Sequence, residues 1–138
     1  MVRLHAVIDL PADRHANAAR FWAAVTGWPI GAARPGRPEL RSLEPPEGTA
    51  YLHLQEIGGS PRVHLDVETD DPASFVTESI ALGALPVADH DRWQTLRSPG
   101  GLPFCVVPAQ PHRPAAAGPA RRPLGRLAGR RVRRQVAR

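Results

Sequence analysis

The chain has a single cysteine, Cys105, no run of consecutive apolar residues near the eighteen or so that a membrane span requires, and no acidic residue after Asp91. One cysteine excludes an intramolecular disulfide framework and any zinc site of the CxxC kind, so a metal must be held mainly by histidine, carboxylate or amide oxygen. The opening residues MVRLHAVIDL lack the long apolar segment of a secretory signal, and with no membrane span the expected compartment is the cytoplasm. The absence of acids after Asp91 accounts for the net charge of +5. Nine of the eighteen basic residues, Arg113, Arg121, Arg122, Arg126, Arg130, Arg131, Arg133, Arg134 and Arg138, lie beyond Pro108, whereas residues 1–108 carry nine arginines against thirteen acids, a net of −4. The body should therefore repel a phosphate backbone, and nucleic acid is a partner only through the tail. That tail, residues 109–138, also lacks aromatics, which removes base stacking and with it sequence-specific recognition. Its proline, glycine, alanine and arginine predict disorder. A helix from Leu124 that touches RNA, DNA or an acidic membrane surface is the alternative, against which Gly125 and Gly129 count.

What is present before Pro108 is periodicity, enough for one compact domain over residues 1–108. Leu4, Ala6, Ile8 and Leu10 alternate with His5, Val7 and Asp9, the period of a strand with one apolar face. In DRHANAARFWAAVTGW, the residues Ala18, Phe21, Trp22 and Val25 form a helical stripe, Gly27 stands where a left-handed cap is expected, and Pro29 forbids continuation. Strands are expected at Leu40–Leu43 and Ala50–Ile57, with PPEG between them, and GGSP reads as a linker. The pattern then begins again. Pro61–Val67 alternates, Asp71 and Pro72 start a helix over Ala73–Leu82 that Gly83 ends, and strands follow at Leu85–Ala88, Trp93–Leu96 and Pro103–Val107, with SPGG as a hairpin turn. LHAVIDLPAD, helix, GWPI is thus echoed by VHLDVETDD, helix, GALPV. The fold class expected is α+β, with two tandem βαβββ modules, about 1–58 and 61–108, each too small to bury a core alone. Their helices should cover one sheet face, leaving the other to curve into a shared cup.

Four segments, AVIDLPADRHANAARFWAAVTGW, RVHLDVETDD, ALGA and SPGGLPFCVV, closely resemble glyoxalase-like proteins of the vicinal-oxygen-chelate superfamily, over roughly residues 3–108. The resemblance implies a cup built from two βαβββ modules that, in metal-dependent members, carries one ligand on each of four strands. Residue by residue, His5 matches the first-strand ligand and His64 its equivalent in the second module. The position usually filled by glutamate in the first module falls at Gln55, and its counterpart in the second at Cys105, two departures from the metal-binding pattern. The cofactor implied is a divalent metal, nickel, zinc, manganese or iron, with none as the alternative. The fold also implies a homodimer as one assembly, since its cleft is often built from two chains.

Strand parity agrees with this carry-over. His5 shares a face with Val7 and Asp9, His64 with Asp66, Gln55 with His53 and Tyr51, and Cys105 with Val107, all pointing away from the helices. A one-residue slip would exchange Gln55 for Glu56 and give His-His-Glu, but would turn Leu52 and Leu54 into the cleft. Substrate contacts are expected from Tyr51, His53, Asp66 and Trp93, and an acidic cleft suits a cationic or polyhydroxylated ligand. Trp22, Trp28 and Phe21 read as packing. His5 and His64 serve equally as hydrogen-bonded pocket histidines, and Cys105, between Phe104 and Val106, as a small buried hydrophobe. Three functional classes stay open: a lyase or related enzyme on a small oxygenated substrate, a non-catalytic protein that sequesters a bleomycin-type antibiotic, and a carrier for the basic tail. Lewis-acid polarisation of two neighbouring oxygens would be the metal's task in the first.

Overall fold

The computed structural model describes residues 1–110, and the tail expected to be disordered therefore lies outside the described residues from 111 onward. The chain runs β1 (Val2–Pro11), α1 (Ala12–Thr26), β2 (Leu40–Leu43), β3 (Leu52–Ile57), β4 (Arg62–Thr69), α2 (Pro72–Ala81), β5 (Leu85–His90), β6 (Trp93–Arg97) and β7 (Pro103–Pro108). Local chemistry sets the element ends. Gly27 takes φ +72° and returns its N–H to Ala23 at 2.9 Å, the left-handed cap that stops α1. Asp71 accepts from Ser74 N–H at 3.1 Å ahead of Pro72, which fixes the start of α2. The SPGG turn closes on Ser98, whose N–H donates to Leu102 O at 2.9 Å, with Gly101 at φ +85°.

All seven strands form one curved sheet in the order β2-β3-β1-β4-β7-β6-β5. β1 and β4, the first strands of the two modules, pair antiparallel at its centre, and each pairs parallel with the last strand of its own module, β3 or β7. The repeat seen in the sequence is thus a two-fold repeat in space. It is incomplete in the first module, where the position that matches β5 holds one bridge, between Ile30 and Leu43. Pro35, Gly36 and Pro38 follow, and two residues without an N–H cannot sustain a ladder.

The apolar face divides into two cores. Ile8, Leu10, Ala19, Leu43 and Leu54 cluster under α1, with Trp22 and Trp28 packed against them; Ala84, Leu96 and Val106 cluster under α2 with Phe75 and Phe104. The stripe drawn from Ala18, Phe21, Trp22 and Val25 is rotated in the structure: Phe21 and Val25 are each 57% exposed, and Ala19 is buried in their place. Small residues flanking Trp22 let the helix approach the sheet closely, a face that a search for large apolar residues overlooks. Among the described residues no helix is long and apolar enough to cross a membrane.

Candidate functional site

Residues directly opposite one another in a sheet share a face, so the register alone lays out the concave side in rows. One row runs His5, Asp66, Cys105, Thr95; the next runs Ser42, His53, Val7, His64; a third runs Leu40, Gln55, Asp9, Arg62. The register is the one that alternation favours, since Leu54 is fully buried under α1 and Glu56 is exposed. His5 and His64 do lie on one face. The cluster of donor atoms takes in His64 but not His5, and Val7, with no exposed surface, stands between His53 and His64.

One group of polar residues surrounds His64. Its Nδ1 lies 2.8 Å from Asp9 Oδ2, and its Nε2 lies 3.3 Å from Asp66 Oδ1. Asp9 is wholly buried, and the same Oδ2 accepts from Arg62 Nε at 2.8 Å. Burial works against a charged His64, but the hydrogen bond to Asp66 and the charges of Asp9 and Asp66 outweigh it and raise its pKa above the ordinary value. Cys105 joins from β7, with Sγ 3.6 Å from Thr95 Oγ1. Burial pushes its thiol pKa up, the Thr95 contact opposes this, and the nearby carboxylates Asp66 and Asp9 push it further. One donor atom each from His64, Asp66 and Cys105 falls within a mutual 4.8 Å, a spacing that three ligands of one cation can adopt. The donor set suits a metal in a second respect: with Nδ1 committed to Asp9, His64 presents Nε2, the carboxylate–histidine arrangement that orients a ligating imidazole.

The second group is a buried chain. Ser42 Oγ lies 2.8 Å from His53 Nδ1, His53 Nε2 lies 3.0 Å from His5 Nδ1, and His5 Nε2 lies 3.3 Å from Glu68 Oε2, whose other oxygen is 3.4 Å from Arg3 Nη1. His5, His53 and Glu68 are each at most 4% exposed.

Of the four metal candidates from the sequence, the structure therefore brings His64 and Cys105 together, places His5 in the second chain, and sets Gln55 opposite Asp9 in the third row. Of the four substrate-binding candidates, His53, Asp66 and Trp93 line a cavity of about 1330 Å3. Tyr51 instead lies edge-on to Trp28, with ring centroids 5.5 Å apart, and is not among the lining residues. Sequence reasoning missed Ser42, Glu68 and Arg37. Glu68 shares strand parity with His64 and Asp66 and was open to discovery; Ser42 required the β2–β3 register, and Arg37 the curl of the sheet. Arg37, from the loop before β2, sits 5.4 Å from the Trp93 ring at the start of β6, so the curved sheet brings residues of the two modules into contact across the cup. His90 stacks on the same indole at 4.6 Å. With Arg34, Arg37 and Arg92 set against Glu44, Asp66, Glu68, Asp89 and Asp91, the cavity is mixed in charge with an excess of acids.

The profile of the "Glyoxalase-like domain" family matches residues 5–107. No curated protein sequence matches the chain. Among solved structures, the Mn(II)-bound glyoxalase from Novosphingobium aromaticivorans superposes with a TM-score of 0.56 at 14% identity, covering 91% of this chain and 44% of that one. A glyoxalase/bleomycin resistance protein/dioxygenase superfamily member from Vibrio splendidus 12B01 gives 0.53 at 17% identity, covering 79% of this chain and all of that one. The 2,2',3-trihydroxybiphenyl 1,2-dioxygenase from Sphingomonas wittichii strain RW1 gives 0.54 at 12% identity, and this chain spans 41% of its length. At such identities the likeness is one of fold. The matched profile and the two-module cup agree, and the chain belongs to the glyoxalase-like domain family.

Proposed function

We propose that this protein is a divalent-metal-dependent, glyoxalase-like enzyme of the lyase type, acting on a small molecule with two neighbouring oxygens bound in the cup. The observation that carries the reading is the convergence of His64, Asp66 and Cys105 donor atoms within 4.8 Å. When bound there, a divalent ion supplies Lewis-acid polarisation of the substrate oxygens. Asp9 keeps the proton on His64 Nδ1 and so leaves Nε2 as the donor. Of the three donors Asp66 alone lines the cavity, and through it a substrate would approach the cation. A thiolate among the donors favours zinc, nickel or ferrous iron over manganese, whose preference is for oxygen. At the mouth, Trp93 and His90 form an aromatic shelf, and Arg37 above it offers a cation to an anionic oxygen of the substrate.

That same shelf favours a second reading, sequestration of a flat ligand such as a bleomycin-type antibiotic without turnover. Metal content separates the two. Purified protein exposed in turn to zinc, nickel, iron and manganese should retain one equivalent of zinc, nickel or iron, and His64→Ala should lower that affinity at least tenfold. Substoichiometric retention of every metal, with ligand binding intact in His64→Ala, would replace the enzyme by the sequestering protein.

A further inference from the structure

The chain Ser42–His53–His5–Glu68 contributes none of the three clustered donor atoms, although His5 stands directly opposite Asp66 in the sheet. Its members come from four strands, β2, β3, β1 and β4, and Ser42, His53, His5 and Glu68 all line the same cavity. Its ring tautomers are an assignment that starts from the carboxylate end, where the His5–Glu68 contact is an ion-pair distance. With Glu68 a carboxylate held against Arg3, His5 carries its hydrogen on Nε2, facing Glu68 Oε2 at 3.3 Å. His5 Nδ1 is then an acceptor and takes the hydrogen of His53 Nε2 at 3.0 Å. That leaves His53 Nδ1 as an acceptor, 2.8 Å from Ser42 Oγ, so the serine hydroxyl donates to it and turns its lone pairs elsewhere. A half-buried hydroxyl that donates to an imidazole backed by a carboxylate is the arrangement of an activated nucleophile, here with a second histidine between base and carboxylate.

We propose that Ser42 is a nucleophile for acyl transfer, with His53 as its general base and His5 and Glu68 as positioning residues, and that the ligand class is a small carboxylic ester. Ser42 Oγ bonds to the ester carbonyl carbon while its proton passes to His53 Nδ1. His53 Nε2–H moves to His5 Nδ1, so the positive charge rests on His5, beside Glu68. When the bond from the carbonyl carbon to the alcohol oxygen breaks, the proton returns through His5 and His53 to the departing oxygen. Water then repeats the sequence at the acyl-serine, releasing the carboxylic acid and restoring Ser42.

The test uses the full chain and a fluorophosphonate probe, which phosphonylates activated serines with loss of fluoride, read by peptide mass spectrometry. Ser42 should take up one equivalent while the exposed Ser60 and Ser74 stay unmodified, and Ser42→Ala should abolish the adduct. His53→Gln should slow labelling about 100-fold or more, the contribution of a general base. Glu68→Gln should slow it as well, and Glu68→Asp should recover it, a pattern that loss of packing alone does not produce. The wild-type chain decides even if a variant fails to fold: no adduct at Ser42, or adducts spread equally over Ser60 and Ser74, overturns the proposal. So does labelling of Ser42 at an unchanged rate in folded His53→Gln, which would leave the serine merely satisfying a buried imidazole.

Discussion

His64 illustrates how a single side chain is tuned by neighbours on its own and the adjacent strand. Its raised pKa stabilises the protonated ring in the fold, a contribution fully present below the ordinary value of about 6.5 and lost as pH rises through the folded value. The same proton competes with a cation at Nε2, and the thiol of Cys105, pushed up chiefly by burial, must lose its own proton to ligate. Zinc uptake in weakly buffered solution below the folded pKa of both groups should therefore release about two protons, read with a pH indicator. No release would mean that neither residue is a ligand. Asp9→Asn removes the carboxylate that holds Nδ1, so zinc affinity should fall about 10–100-fold, and the His64 ring should titrate lower by proton NMR. An unchanged affinity would reduce Asp9 to a partner of Arg62. At this scale much was legible in advance: parity alone placed His5, His64, Asp66 and Cys105 on one face. What parity does not give is lateral distance. That Val7 separates His53 from His64, and that His5 meets His53 across the sheet, follows from strand order, which no single strand contains.

The elements obey local rules that the sequence displays openly. Gly27, Asp71, Pro72 and Gly101 mark the ends of helices and turn through conformations or hydrogen bonds that their neighbours cannot supply. The strand missing from the first module has an equally local cause in Pro35 and Pro38. In the second module the corresponding strand, β5, survives with Pro86 inside it because it is an edge strand, and its register shifts between Pro86 and Ala88. The orientation of α1 was not legible, since Ala19 and Ala23 weigh little beside Phe21 and Val25 in any count of apolar mass. Two separate cores carry a thermodynamic consequence. Leu54 has no exposed surface in the first and Leu96 1% in the second, so each change to alanine should cost about 2–5 kcal/mol in urea unfolding. Because the clusters share no residue, the double variant should be additive to within about 0.5 kcal/mol. A larger coupling would show that the halves form one core.

The whole molecule is two copies of one strand-helix-strand plan that join along β1 and β4 and curl until Arg37 of one half reaches Trp93 of the other. The plan could be read from the echo of LHAVIDL in VHLDVET, but the contact across the cup could not, because curvature accumulates over the sheet and leaves no trace in any segment. The body carries a net of −4 and the residues beyond it nine arginines, so any affinity for a polyanion belongs to residues 111–138. A chain ending at Gln110 keeps every strand and helix described; its Tm should stay close to that of the full chain, while salt-sensitive retention on a polyanionic column disappears. A large fall in Tm would instead show the tail packed on the body.

The proposed function turns on one cation held jointly by His64 and Asp66 of β4 and Cys105 of β7. X-ray absorption at the zinc edge of the zinc-loaded protein measures that sharing directly. A single sulfur at about 2.3 Å among nitrogen and oxygen donors near 2.0–2.2 Å, with the sulfur lost in Cys105→Ser, is the predicted result. A shell of nitrogen and oxygen alone, identical in Cys105→Ser, would contradict it.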